Sequence, residues 1–291
     1  MIIKRLFNRL RSPDPFELEE QSIPSFLIIG VQKGGTTSLY EYLQQHPQVR
    51  SALTKEVHFF DLNFAKGWEW YLEQLGQPLD GDAELVQRTG EASPYYVFHP
   101  LVPERVFRRA PNIKLILLLR DPVARSLSHY HHECRWQFES LPLEDALEQE
   151  EQRLSQELNH FARDPHYESY AYQHYSYIKR SLYLEQIRAW ARYFSPSQIL
   201  IIQSEFFCKK PSLTLNCVSQ FLELDKFDFS PQVRHNAGHY PQAPSGVKQR
   251  LAQIFSEPNR ELLAYLEKHW PAENLIGFGP GEVNWLMPTP E

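Results

Sequence analysis

Residues 25–47 read SFLIIGVQKGGTTSLYEYLQQHP. The apolar run ending at Gly30 has the length and composition of a buried parallel strand. From Thr36 the spacing turns helical, with Leu39 and Leu43 on one face and Pro47 closing the segment. Strand, glycine loop and helix are the setting of a phosphate-binding loop, where backbone N–H groups and a helix N-terminus meet an anion. The residue order is not that of a nucleoside-triphosphate loop, which runs Gly, four residues, Gly-Lys-Ser/Thr. Gly30 and Gly35 have that spacing, but Thr36 takes the lysine position and Lys33 lies three residues earlier. Lys33 supplies a positive charge, Gly34 and Gly35 allow close approach, and Thr36, Thr37 and Ser38 offer hydroxyl donors. The plainer alternative is a Gly-Gly turn whose Thr or Ser merely caps the helix.

Working outward, IKLILLLR (113–120) reads as a second buried strand, and Asp121-Pro122 opens a helix through Tyr130. QILIIQSE (198–205) is a third strand, followed by the helix PSLTLNCVSQFLEL (211–224), and VQRTGEAS (86–93) is a further strand. LPLEDALEQEEQRLSQEL (141–158) and RSLYLEQIRAWARYF (180–194) read as helices. Strands alternating with helices predict an α/β fold, a single domain with a central parallel sheet flanked by helices and a P-loop-like turn after its first strand. Residues 1–24 are expected to be a leader and 25–291 the domain. Within it, 131–180 reads as an insertion over the sheet edge and 229–250 as a loop.

The bulk numbers narrow the class. A chain of 291 residues, 42% apolar and 23% charged, can bury one large core. Its net charge of −6 argues against a general nucleic-acid binder. Cys134, Cys208 and Cys217 are odd in number and scattered, which suits a reducing compartment rather than a disulfide framework. No stretch approaches the roughly 20 apolar residues of a membrane helix, and MIIKRLFNRLR lacks the apolar region of a secretory signal. A cytoplasmic protein is expected, with at most peripheral membrane contact through the basic N-terminus.

LLLRDPVARSLSHY (117–130) is a second strand-to-helix junction. Arg120 falls at the carboxyl end of its strand, where open sheets bind ligands. Ser128 lies roughly two helical turns further on. Arg120 offers a forked guanidinium and Ser128 a hydroxyl to one anion. The alternatives are an Arg120–Asp121 ion pair and a hydroxyl on the helix surface. Two anion-binding junctions on one sheet imply a ligand with anionic groups at both ends.

On these residues the chain resembles the sulfotransferase family. GVQKGGTTSLYEYLQQHP is similar to the loop that takes the 5′-phosphosulfate, and RDPVARSLSHY to the 3′-phosphate motif. KEVHFFD (55–61) resembles the heparan sulfate (N- and 3-O-) branch, and KGWEWYLEQL (66–75) and GEASPYYV (90–97) continue the likeness. The resemblance implies a bacterial enzyme whose donor is 3′-phosphoadenosine 5′-phosphosulfate and whose product is adenosine 3′,5′-bisphosphate. No metal is implied. It also implies in-line transfer of a sulfuryl group to a hydroxyl or amine, with Lys33 near the leaving oxygen and Glu56 as general base. His58 and Asp61, in the same motif, would orient Glu56 or the acceptor. Read without the family, Glu56 is a solvated partner of Lys55, and His58 a packed histidine between Val57 and Phe59.

His129, His131 and His132 cluster beside Glu133, but adjacent helical positions point in different directions, so a solvated or packed role is expected. HYESYAYQHYSY (166–177), with Trp136 and Phe138, offers rings for stacking on sugars or phenols, or alternatively a packed lid. Gly90-Glu91-Ala92 precedes Ser93-Pro94 without the lysine that some glycosaminoglycan enzymes carry there. The expected acceptor is therefore a smaller sugar, glycolipid or other hydroxylated metabolite. Arg234-His235-Asn236-Ala237-Gly238, or Lys248 and Arg250, are candidates to close on the nucleotide, and Tyr183 occupies a matched helix position. The competing readings are a nucleotide or small-molecule kinase and a non-catalytic nucleotide-binding protein of the same fold.

Overall fold

The computed structural model describes residues 24–76, 88–230, 242–279 and 282. The leader's first 23 residues and the 234–238 segment lie outside the described residues.

Strand β1 (Phe26–Gly30) runs into helix α1 (Thr36–Leu43), and β2 (Val49–Ser51) follows. Next come α2 (Trp68–Gln74), β3 (Arg88–Ala92) and α3 (Val102–Arg109). Strand β4 (Lys114–Leu119) leads to α4 (Pro122–Arg135), then α5 (Leu143–Leu154), α6 (Glu157–Arg163) and α7 (Tyr170–His174). Helix α8 (Tyr183–Trp190) precedes β5 (Ile199–Gln203), α9 (Ser204–Lys209) and α10 (Pro211–Phe221). Helix α11 (Ser245–His269) and β6 (Leu275–Ile276) complete the series.

The six strands are all parallel, in the order β2-β3-β1-β4-β5-β6. Side chains alternate between the faces, as the pleat requires. Phe26, Ile28, Ile116, Leu118, Leu200 and Ile202 pack beneath α1 and α10 through Leu39, Leu43, Leu215 and Val218. Leu27, Ile29, Leu115, Leu117 and Ile201 face the other way, onto a layer that includes Val106, Ile187, Trp190, Leu262 and Leu266. Both faces are covered, which explains why the central strands read as unbroken apolar runs.

Three readings change. The 141–158 segment is two helices, because the chain turns at Ser155–Gln156 before α6. The 229–250 segment is not a loop throughout, since α11 begins at Ser245. Its Val247, Leu251, Phe255, Asn259, Leu262 and Leu266 form one buried stripe. Strands β2 and β6, of three and two residues, have no periodicity for a sequence reading to detect.

The chain moves from β1 outward to β2 and β3 on one side, then to β4 and β5 on the other. The crevice between the carboxyl ends of β1 and β4 is therefore the switch point of the sheet, the place where open α/β sheets take ligands.

Candidate active site

The loop after β1 is fixed from below. Val31 N donates to Leu118 O at 2.9 Å, Gly34 N to Val31 O at 2.9 Å, and Ser204 Oγ to Gly34 O at 2.7 Å. A side chain at Gly34 would come within 2.9 Å of Val31 O and 3.1 Å of Leu118 O, so the loop can lie this close to β4 only with glycine. Gly35 has φ +96°, a conformation L side chains rarely adopt. Gly35 caps α1 without a side-chain hydrogen bond, so the amides of the helix's first turn have no side-chain cap. The α1 cap is thus not a Thr or Ser side chain, and Thr36, Thr37 and Ser38 line the cavity with Lys33.

At the second junction Asp121 is a helix cap, its carboxylate accepting from Val123 N at 2.8 Å and Ala124 N at 3.3 Å. Arg120 is thereby free of the neighbouring ion pair and points to the loop, donating from Nη1 to Lys33 O at 2.9 Å. Tyr183 Oη donates to Arg120 O at 2.7 Å and steadies the strand end. Helix α4 presents Ala124, Ser128, His132 and Arg135 along one side of the cavity, a stripe at helical spacing.

The third component is the turn carrying Glu56, His58 and Asp61. His58 Nδ1 donates to Asp61 Oδ2 at 2.8 Å, and His58 Nε2 to Glu56 Oε2 at 3.3 Å. Lys55 Nζ lies 3.2 Å from Glu56 Oε1. Glu56 and His58 have φ of +60° and +51°, so surrounding contacts must hold the turn. Those contacts come from the two motifs that follow it. Ser93 Oγ accepts from His58 N at 3.0 Å and donates to buried Glu91 at 2.7 Å. Tyr96 Oη accepts from Phe59 N at 2.8 Å, and Phe59 stacks on Tyr71 of α2 at 4.5 Å.

Charge in the site follows from these pairings. Burial would lower the His58 pKa, but the Asp61 and Glu56 carboxylates prevail and lift it to about 10. His58 is thus an imidazolium at neutral pH. Burial would raise Glu56, yet the His58 hydrogen bond and the Lys55 charge hold it below the ordinary carboxylate value. Burial, then Arg135 and Arg120, lower Lys33, with Glu133 and Glu56 opposing. Lys33, Gly34, Gly35, Thr36, Thr37, Ser38, Glu56, His58, Arg120 and Ser128 all line one cavity of about 1460 Å³. Asp61 stands behind His58 with its carboxylate fully buried.

The comparisons with known proteins agree. The family described as "Sulfotransferase domain" matches residues 24–238. The chain belongs to the sulfotransferase family. It is 28% identical to "Membrane-associated sulfotransferase kil1" of Dictyostelium discoideum, over 89% of this chain and 69% of that protein. It is 32% identical to "Heparan sulfate glucosamine 3-O-sulfotransferase 5" of Mus musculus, over 70% of this chain and 54% of the relative. The crystal structure of a sulfotransferase from Alicyclobacillus acidocaldarius superposes with TM-score 0.68 at 27% identity, covering 86% of this chain and 98% of that one.

Several features of this sulfotransferase site were not legible in the sequence. Glu133 is buried on α4, with Oε1 3.1 Å from His129 Nε2 and Oε2 2.7 Å from His174 Nδ1. The histidine cluster is thus partly a carboxylate-centred packing unit, completed by His174 from α7. Arg180 and Gln32, 148 positions apart, meet at 2.6 Å on the cavity wall. Of the tyrosines in 166–177, Tyr172 stacks on Phe98 at 4.2 Å and Tyr177 is fully buried, so they pack. Trp136 and Phe138, by contrast, are exposed on the cavity wall. Arg250 pairs with Glu148 at 2.8 Å, and neither Arg250 nor Lys248 lines the cavity.

Proposed function

We propose that the protein transfers the sulfuryl group of 3′-phosphoadenosine 5′-phosphosulfate to a hydroxyl or amine of a carbohydrate, glycolipid or other small hydroxylated acceptor. The observation that carries this reading is that the loop lysine and the Glu56–His58–Asp61 chain line or back a single cavity. When bound, the donor supplies an activated sulfuryl group whose bridging S–O bond breaks as a new S–O or S–N bond forms. The α1 amides and the hydroxyls of residues 36–38 hold the 5′-phosphate end. Arg120 and Ser128 hold the 3′-phosphate. Lys33 stabilises the negative charge that grows on the leaving oxygen, where a fixed cation lowers the barrier. Glu56 takes the acceptor's proton on a carboxylate oxygen, and His58, fixed by Asp61, keeps that carboxylate ionised and aimed.

A kinase reading is disfavoured by the chemistry of the loop. Thr36 stands where a triphosphate loop has lysine, and the Asp121 carboxylate is occupied in capping α4. The test is thermal shift with adenosine 3′,5′-bisphosphate against ATP plus magnesium, because a ligand selective for the folded state raises Tm. The bisphosphate should stabilise and ATP should not; the reverse would favour the kinase. A sulfate-transfer screen over sugars, lipids and phenols then identifies the acceptor.

A further inference from the structure

Arg180 is a buried cation with no carboxylate in ion-pair contact among the described residues, Glu133 and Asp61 acting on it only from farther away. Nη1 donates to Gln32 Oε1 at 2.6 Å, and Nη2 to the carbonyls of Gln173 at 2.8 Å and Tyr172 at 3.3 Å. The guanidinium lies over the rings of Tyr95 and Phe98, 4.7 and 5.0 Å from their centroids. Only 2% of the residue is exposed. Amide oxygens and ring faces position such a charge but do not neutralise it, and a buried cation without a contacting counter-ion is costly. That cost is understandable if an anion completes the site. Arg180, Gln32 and Lys33 share one wall of the cavity.

Arg180 also fixes which way the Gln32 amide points. Arginine carries only donors, so the Gln32 atom facing it must be the carbonyl oxygen. The NH₂ group is turned away from Arg180, and Gln32 is partly exposed on the cavity wall beside Lys33. We infer that Gln32 recognises the transferring group, its Nε2 donating to a sulfuryl oxygen of the donor, with Arg180 as the residue that positions it. The inference rests on the donor proposed above. It assigns a function to the pairing of two residues from opposite halves of the chain: Gln32 distinguishes the loaded donor from the spent nucleotide.

The distinction supplies a test that needs no acceptor. Adenosine 3′,5′-bisphosphate lacks the sulfuryl group and 3′-phosphoadenosine 5′-phosphosulfate has it. Equilibrium binding of both, measured in the cold, is compared between the native protein, Gln32→Leu and Arg180→Met. Gln32→Leu should bind the phosphosulfate about tenfold more weakly, or worse, as loss of a hydrogen bond to a charged group implies. Its affinity for the bisphosphate should be unchanged. Arg180→Met should show the same selective loss, and the double variant should be no worse than the poorer single. Equal losses for both nucleotides, or no loss for either, would overturn the inference. Should Arg180→Met fail to fold, Gln32→Leu decides alone, since its side chain is partly exposed. If the native protein binds neither nucleotide, the donor assignment itself falls.

Discussion

His58 donates through Nδ1 to Asp61 Oδ2 at 2.8 Å, and this bond sets the charge of the whole turn. The Asp61 carboxylate is fully buried and also accepts from Leu62 N at 2.6 Å, so it cannot turn away. It holds the imidazolium, and the imidazolium holds Glu56. Asp61→Asn should therefore lower turnover by about tenfold or more, in the range typical of residues that orient a catalytic group. The alkaline limb of the pH–rate profile should move down from near 10, because Asp61 is the larger of the two raising influences on His58.

The same pair predicts a stability profile. The His58 pKa is raised from 6.5 to about 10 on folding. Its favourable contribution is complete below pH 6.5 and is lost as pH rises through 10. Thermal melts of the native protein should lose Tm across that window, and Asp61→Asn should flatten the slope. An unchanged slope in the variant would show that His58 does not carry it.

Lys55 and Lys33 should separate cleanly. Lys55 touches Glu56 Oε1 from the exposed side, so Lys55→Ala should raise the Glu56 pKa and move the acid limb upward. Its effect on turnover near neutral pH should stay below about tenfold, as expected of an exposed pair. Lys33→Ala removes the cation proposed to face the developing charge and should cost about 100-fold or more. Steady-state kinetics over pH 4 to 8 read both effects.

Gly35→Ala tests the loop. With φ at +96°, an alanine there should cost about 1–3 kcal/mol of stability. Calorimetry should show a lower Tm, together with a smaller stabilisation by adenosine 3′,5′-bisphosphate because the α1 amides move. A full-strength nucleotide shift in this variant would mean that those amides do not hold the ligand.

What the sequence made legible was whatever local chemistry decides. FLII and LILLL could hardly be anything but buried strands, and Asp121-Pro122 marks a helix start that the cap geometry explains. Helix α11 could have been found by its apolar stripe, but Pro258 within it and Pro244 before it read as breakers. The Pro258 position interrupts one helical hydrogen bond without ending the helix, because the buried stripe continues on both sides. In the site, the roles proposed for Glu56, His58 and Asp61 came from family likeness, not from residue type alone. Why SPYY follows them became clear only in three dimensions, where Ser93 and Tyr96 hold the left-handed turn. Arg180 and Gln32 carry no local signal, since a contact across 148 positions has no periodicity.

The most direct measurement is a crystal structure with adenosine 3′,5′-bisphosphate bound. The account predicts the 5′-phosphate on the amides of residues 34–38 beside Lys33, and the 3′-phosphate held by Arg120 and Ser128. A nucleotide seated elsewhere, or a 3′-phosphate that touches neither Arg120 nor Ser128, would contradict it.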